Sequence, residues 1–348
     1  MTKDRVATRI TGVGAELPSD VVTTAEVEER AGLADRFGLE PGWLERVTGV
    51  KTRRWAAPDV QPSVLAAAAG TKALAAAGMH PLDVDTLVFA GITRDCLEPA
   101  TANLVAEAVG TRNARVFDLL NACNSLVDAI DVGDSLIRTG KAERVLVATG
   151  ERASLAINWQ ARTMEELLEA VASLVVGDGG GAVVLQSSDD PERGLRARAF
   201  RSDATQWRHA TGGMFRPGTQ ACELCGGLLD RTFRCNGRDL FAAAFGLLYP
   251  TMETVMEETG WRYDDLDVVF CHQPTKRFVE RAIPFLGAAG AAAHKLWVTA
   301  ERFGNTSTTS LPLALAEAEA AGVLVPGAKA LVLAPSSGVS AAAVTMVW

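Results

Sequence analysis

Cys123 stands in Asn121-Ala-Cys-Asn-Ser-Leu-Val-Asp-Ala-Ile130, after the largely apolar run Arg115-Val-Phe-Asp-Leu-Leu120 and before a stretch with helical spacing. Leu126, Val127, Ile130, Leu136 and Ile137 fall broadly on one helical face, Asp128, Asp131 and Asp134 occupy others, and Thr139-Gly140 supplies a stop. The thiol is therefore expected at or just before a helix N-terminus. Unpaired backbone N–H groups and the positive end of the helix dipole favour thiolate there, below the usual cysteine value of about 8.5, and the same amides could hold an oxyanion. The competing reading is a small residue required by a crowded strand-to-helix turn. Its company decides between them.

The chain has four histidines, His80, His209, His272 and His294. His272 follows the apolar run Val268-Val-Phe-Cys271 and opens the polar run Gln273-Pro-Thr-Lys-Arg277. It should emerge at the end of a strand, where α/β sheets place ligands, and it is the best candidate base. His80 lies in a helix-end turn, His294 in an Ala-rich stretch and His209 in an irregular segment. Asn305 lies in the polar run Phe303-Gly-Asn-Thr-Ser-Thr-Thr-Ser310, where an asparagine is ordinarily a cap or turn residue. Separately, Cys222, Cys225 and Cys235 form C-x2-C-x9-C, and His209 could complete a zinc set. Free loop thiols are the simpler reading, and no metal is expected.

These residues need a scaffold. Short Val/Leu/Ala-rich runs alternate with longer Ala-rich stretches of helical spacing, which gives an α/β class with strands buried between helix layers. A faint repeat is visible. Asp83-Val-Asp-Thr-Leu-Val-Phe89 resembles Asp265-Leu-Asp-Val-Val-Phe270 at an offset of 181, and Arg144-Val-Leu-Val-Ala-Thr-Gly150 resembles Ala330-Leu-Val-Leu-Ala-Pro335 at 186. Asn305 follows Cys123 by 182 residues, so it holds in a second copy the place that Cys123 holds in the first. We divide the chain into a first half, 1–185, an irregular connecting and substrate-admitting segment, 186–234, and a second half, 235–348. Gly177-Asp-Gly-Gly-Gly-Ala-Val-Val-Leu185 reads as a tight glycine turn feeding a strand.

A chain of 348 residues with 48% hydrophobic and 22% charged content can bury a large core. Its net charge of −8 argues against nucleic acid as the main partner. No apolar run is long enough to span a membrane, and the N-terminus lacks a signal core. A soluble cytoplasmic protein is expected. Six cysteines over this length are core thiols, a nucleophile or metal ligands rather than a disulfide framework.

Together these motifs resemble the thiolase superfamily, and most closely β-ketoacyl-acyl-carrier-protein synthase III. The resemblance is carried, in family order, by Ile10-Thr-Gly-Val-Gly-Ala-Glu-Leu-Pro18, Trp43-Leu-Glu-Arg-Val-Thr-Gly49, Gly177–Leu185, His272-Gln-Pro-Thr-Lys-Arg277 and Gly304-Asn-Thr-Ser-Thr-Thr-Ser-Leu-Pro312, with Cys123. It implies a duplicated, thiolase-like αβαβα fold and a homodimer, with Cys123 as acyl-accepting nucleophile and His272 and Asn305 in the same pocket. No cofactor is implied. The acyl carbonyl would be held by the Cys123 amide and one from Ser337 or Gly338. Trp43 matches the ring that packs on coenzyme A's adenine, Gln273 and Asn124 border the substrate, and Lys276 and Arg277 would dock an acyl carrier protein. The partner is an acyl thioester of carrier protein or coenzyme A, with neither nucleic acid nor membrane.

Four features depart from the pattern. The glycine-rich C-terminal loop reads Ala334-Pro-Ser-Ser-Gly-Val-Ser340, and Asn124-Ser125 replaces a small apolar pair. Glu98 stands where a large apolar residue of the partner subunit commonly closes the acyl pocket; a buried carboxylate there would repel fatty chains. A basic residue expected beside Trp43 is displaced to Arg46, and Ser154-Leu-Ala-Ile-Asn158 lacks an expected arginine. Three functions follow as expectations. The first is decarboxylative condensation with a malonyl-type carrier-protein thioester, in specialised polyketide or fatty-acid-derived metabolism. The second is transfer of a polar or aromatic acyl group to an alcohol, amine or carrier thiol without decarboxylation. The third, a non-catalytic partner in a heterodimer, fits poorly with an intact nucleophile.

Overall fold

Nine main strands form two sheets in the computed structural model, which describes residues 7–215, 229–230, 232–283 and 287–348. The first sheet contains β1 (Ala7–Glu16), β2 (Thr86–Ala90), β3 (Arg115–Leu119), β4 (Arg144–Glu151) and β5 (Gly179–Ser188), in the order β1-β5-β4-β2-β3. The second contains β6 (Gly194–Ser202), β7 (Val268–Cys271), β8 (Lys329–Ser336) and β9 (Ser340–Val347), in the order β7-β8-β9-β6. In each sheet two antiparallel pairings lead to a parallel one. The counterpart of β3 in the second sheet is a single parallel bridge, Val269 to Leu296. The duplicated α/β arrangement expected from the offsets is thus present strand by strand.

Helices fill three layers. α1 (Trp43–Thr48) lies near the surface, and α2 (Pro62–Ala76) and α3 (Thr101–Val109) cover the outer face of the first sheet. α4 (Ser125–Arg138) and α8 (Ser310–Ala320) lie between the sheets, sharing one core with strands of both. α5 (Gly237–Thr259) covers the outer face of the second sheet, while α6 (Lys276–Ala282) and α7 (Ala300–Phe303) are short. The result is the order α-β-α-β-α. Leu126, Val127, Ile130 and Ile137 form the buried stripe expected of α4. Asp134 does not stay on a wet face: it is fully buried, and Arg198 from β6 reaches it at 2.6 Å, because a middle-layer helix has no wet face there.

Two expectations change. Segment 186–234 is not all irregular, since β6 lies within it and completes the second sheet. Nor do the glycines after Asp178 form a turn; Gly179, Gly180 and Gly181 lie inside β5. A Cβ on Gly180 would sit 2.1 Å from the Leu65 carbonyl oxygen of α2, and one on Gly181 would sit 2.1 Å from Pro312 Cγ of α8. The run is there because helices press on the strand from both faces. Gly180→Ala should therefore destabilise the fold by about 3 kcal/mol or more, since backbone rather than a side-chain tip blocks the new methyl. Denaturant unfolding measures this, with Gly246→Ala as the control, because among the described residues nothing outside its own helix backbone lies within 4 Å of a Cβ there.

Candidate active site

The link from β3 to α4 is a tight turn. Ala122 adopts a left-handed backbone, with φ of 48°. The Ser125 hydroxyl donates to the Ala122 carbonyl at 2.7 Å and accepts from the Asn121 amide at 2.7 Å. Cys123 is thereby presented just ahead of the helix, half-buried, with Asn124 as the N-cap residue. Asn124 is itself buried, and its side-chain Nδ2 donates to Ser340 Oγ on β9 at 2.9 Å.

The second half supplies the partners. His272 follows β7, with its amide donating to the Leu333 carbonyl of β8 at 2.8 Å. Asn305 follows α7, and the first half grips its backbone: the Asn305 amide donates to Val175 O and the Gly177 amide to Asn305 O, both at 2.9 Å. Asn305 Oδ1 accepts from the Ser307 amide at 2.9 Å, which holds Ser307 in a left-handed conformation, φ of 53°. Ser307 is the hub. Its Oγ lies 3.8 Å from Cys123 Sγ, and Ser310 Oγ, 3.0 Å from His272 Nδ1, donates to its carbonyl at 2.8 Å. Since the Ser310 proton is committed to that carbonyl, the network assigns the imidazole proton to Nδ1 and leaves Nε2 as an acceptor. Cys123, His272 and Asn305 are thus gathered around one serine.

Burial reverses the expected electrostatics. It pushes the Cys123 thiol up to about 11; hydrogen bonding to Ser307 opposes this, and the Glu151 carboxylate adds to it. The helix N-terminus does not overcome that desolvation. Burial also drives His272 down to about 4, against a contact with the Ser307 carbonyl that raises it. At neutral pH the resting pair is a neutral thiol beside a neutral imidazole. Alkylation of Cys123 by iodoacetamide should accordingly keep rising with pH from 7 to 10, because the thiolate fraction grows throughout; a plateau below pH 8 would contradict this assignment.

Glu151, at the end of β4, is fully buried. Burial raises its pKa, opposed by hydrogen bonds from Thr308 Oγ1 at 2.5 Å, the Ile92 amide at 2.8 Å and Thr93. It ties the 92–93 loop of the first half to the asparagine loop of the second. Neither Glu151 nor Ser307 is marked by the sequence motifs; the run of five hydroxyls, Thr306 to Ser310, is the available signal.

The remaining expected residues are dispersed. Trp43 opens α1, whose first amides, Gly42 and Leu44, donate to the Glu28 carboxylate at 2.7 and 2.6 Å. Beside it lies an open groove of about 440 Å³ lined by Glu45, Arg46, Lys51, Lys276, Arg277 and Glu301. Glu301 bridges Lys51 at 2.7 Å and Lys276 at 2.8 Å, and hydrogen bonds from Lys276 and then Lys51 hold its carboxyl down at about 2. Arg277 pairs with Glu280.

Gln273 is buried, but its amide is spent on structure. Oε1 accepts from Thr299 and Ala300 amides at 2.9 and 3.2 Å, and Nε2 donates to Trp297 O at 2.5 Å. It shapes the approach to Asn305 instead of facing substrate. Glu98 is exposed, between Leu97, which is 68% exposed, and Pro99. Ser337 is partly buried and Gly338 exposed at the tip of the β8–β9 turn. Of the zinc set weighed as the lesser reading, Cys222 and Cys225 lie outside the described residues. Cys235 pairs with Ala210, and His209 Nε2 lies 2.7 Å from Gln206 Oε1.

Residues 117–204 match the family described as 3-Oxoacyl-[acyl-carrier-protein (ACP)] synthase III, and residues 256–348 match its C-terminal part. The chain is 33% identical over 347 residues to Beta-ketoacyl-[acyl-carrier-protein] synthase III of Chelativorans sp., covering 99% of this chain and 100% of that one. It is 34% identical over 346 residues to Beta-ketoacyl-[acyl-carrier-protein] synthase III 3 of Streptomyces coelicolor, covering 98% and 97%. Among solved structures, 3-oxoacyl-[acyl-carrier-protein] synthase III from Aquifex aeolicus superposes with a TM-score of 0.83 at 28% identity, covering 98% and 100%. OleA of Xanthomonas campestris, solved as a single-site variant, superposes with 0.87 at 25% identity, covering 98% and 97%.

Proposed function

The chain belongs to the 3-oxoacyl-[acyl-carrier-protein] synthase III family of condensing enzymes, and from that premise we propose that it loads an acyl group from a thioester onto Cys123 and condenses it with a malonyl-type carrier-protein thioester. The observation that carries this reading is the single serine, Ser307, that joins the thiol to the histidine and asparagine loops. Cys123 gives up its proton and attacks the acyl carbonyl; the carrier thiol leaves with a proton, and a thioester remains on the enzyme. Free Nε2 of His272 suits the proton acceptance. In the second half-reaction, His272 and the side-chain Nδ2 of Asn305 donate to the malonyl thioester oxygen as carbon dioxide leaves. The enolate carbon then attacks the Cys123 acyl group and releases the thiolate. For that step the histidine proton must sit on Nε2, which a turn of the Ser310 hydroxyl toward Nδ1 would allow.

Thioester carriers approach along the groove of Arg46, Lys276 and Arg277 beside Trp43, whether the carrier is an acyl carrier protein or coenzyme A. The active unit is a homodimer in which Glu98 of one protomer closes the acyl site of the other. The exposed apolar side chains Ile92, Leu97 and Leu120, next to edge strand β3, support that assembly. Among the described residues no helix is long and apolar enough to cross a membrane, in keeping with a cytoplasmic enzyme. The polar neighbours of Cys123 and the carboxylate of Glu98 favour a role in specialised metabolism. They also support a second reading, transfer of a polar or aromatic acyl group with His272 as general base and no loss of carbon dioxide. Incubation with acyl thioesters and malonyl-carrier protein separates the two: a ketoacyl product with release of carbon dioxide supports condensation, and an ester, amide or transferred acyl group without it rejects condensation.

A further inference from the structure

Ser336 is the last residue of β8, 4% exposed, and its Oγ makes no hydrogen bond of ordinary geometry among the described residues. Across the three-residue turn it faces Ser340 in register, and Ser340 is the residue that Asn124 binds at 2.9 Å. The β8–β9 turn is therefore pinned to the residue that follows the nucleophile. Opposite residues of paired strands share a face, so Ser336 stands on the face of the sheet that Asn124 touches through Ser340, and it opposes, after Ser307, the upward push of burial on the Cys123 thiol. The two hydroxyls differ in what surrounds them. Ser307 belongs to the network that orients His272, whereas Ser336 Oγ has no hydrogen-bond partner among the described residues. A buried hydroxyl so poorly partnered carries an uncompensated desolvation cost, and such groups persist where the partner arrives with the substrate.

We infer that the Ser336 hydroxyl is a side-chain hydrogen-bond donor to the acyl carbonyl oxygen as Cys123 is acylated, adding to the backbone amides there. The inference rests on the acyl-enzyme reading given above. As the Sγ–C bond forms, the carbonyl π pair moves onto oxygen, and Ser336 O–H donates to that oxyanion. Collapse of the tetrahedral centre restores the carbonyl and expels the leaving thiol or alcohol, which takes the proton that left Cys123. A glycine in the same place would offer only its amide, so this serine makes the site a better host for an anionic tetrahedral centre than for an uncharged reaction at sulfur.

The test compares two reactions of the same thiol in the purified full-length protein. p-Nitrophenyl butyrate acylates Cys123 through an oxyanion, read by nitrophenolate release and by intact mass. Iodoacetamide alkylates it by displacement, with no oxyanion. Ser336→Ala should lower the ratio of acylation to alkylation rates about tenfold or more, and Ser336→Thr should restore most of it. Measuring both rates across pH 7 to 10 removes any effect through thiol ionisation, to which burial, Ser307 and Glu151 also contribute. If Ser336→Ala does not fold, Ser336→Gly is read in the same way. An unchanged ratio in folded Ser336→Ala or Ser336→Gly, with a Cys123 adduct in the parent protein, overturns this inference alone. Absence of any Cys123 adduct in the parent overturns the acyl-enzyme reading and this inference with it.

Discussion

Cys123→Ala should yield a folded protein that forms no acyl adduct and turns over at least about a thousandfold more slowly, the largest effect expected of any single change. The side chain is half-buried and small, so its loss leaves little cavity and should cost little stability. Intact mass after incubation with an acyl thioester gives the result directly. An adduct of the same stoichiometry in the variant would move the nucleophile elsewhere. Cys96, Cys235 and Cys271, the other described thiols, are poor substitutes: burial pushes Cys235 and Cys271 up to about 12 each, and Cys96 lies in the Glu98 loop.

His272→Ala is the second. It should leave acylation of Cys123 largely intact with an activated thioester while reducing product formation by about 10²- to 10³-fold, because in the proposed condensation an activated donor needs little help at the thiol, whereas donation to the malonyl oxygen comes after the acyl group is in place. Single-turnover mass measurements separate the steps: the adduct should appear and persist. Loss of both steps in parallel would mean that His272 is needed to take the thiol proton even from an activated donor. Asn305→Asp sharpens the comparison. Aspartate keeps an oxygen for the Ser307 amide, now held at 2.9 Å, but loses the amide donor that the second step requires. If Asn305 acted only by holding its loop, the aspartate would retain activity.

Much of this is legible in the sequence because the fold is a repeat. The matched offsets of two strand motifs pair Cys123 with Asn305 from spacing alone, and the sheets reproduce that pairing in four strands of each, with a single bridge in place of the fifth. His272 is legible because an apolar strand followed by a polar run places its first polar residue at the strand's end. The glycines of β5 read as a turn because a sequence shows that glycine is required, not whether backbone angle or the approach of another backbone requires it. The helix N-terminus, a local feature, argues for an acidified thiol. Burial in the folded chain outweighs it. Gln273 looks like a substrate contact since it borders His272, yet its partners, 297 to 300, are brought to it only by the folded chain. Ser307 and Glu151 escape notice for the same reason: each gains from the opposite half, Cys123 and Thr308 respectively, a contact that only the folded chain supplies.

The backbone grip on Asn305 has a consequence for how such a chain can change over generations. Val175 and Gly177 belong to the first repeat, and they complete the hydrogen bonding of the residue that the second repeat contributes. Two copies that began as equivalents have become complementary, each now unfinished without the other. A recombination that exchanges one half for that of a distant relative would sever this seam, leaving the two backbone groups of Asn305 to find new partners. The heritable unit is the whole chain, although its architecture is written twice.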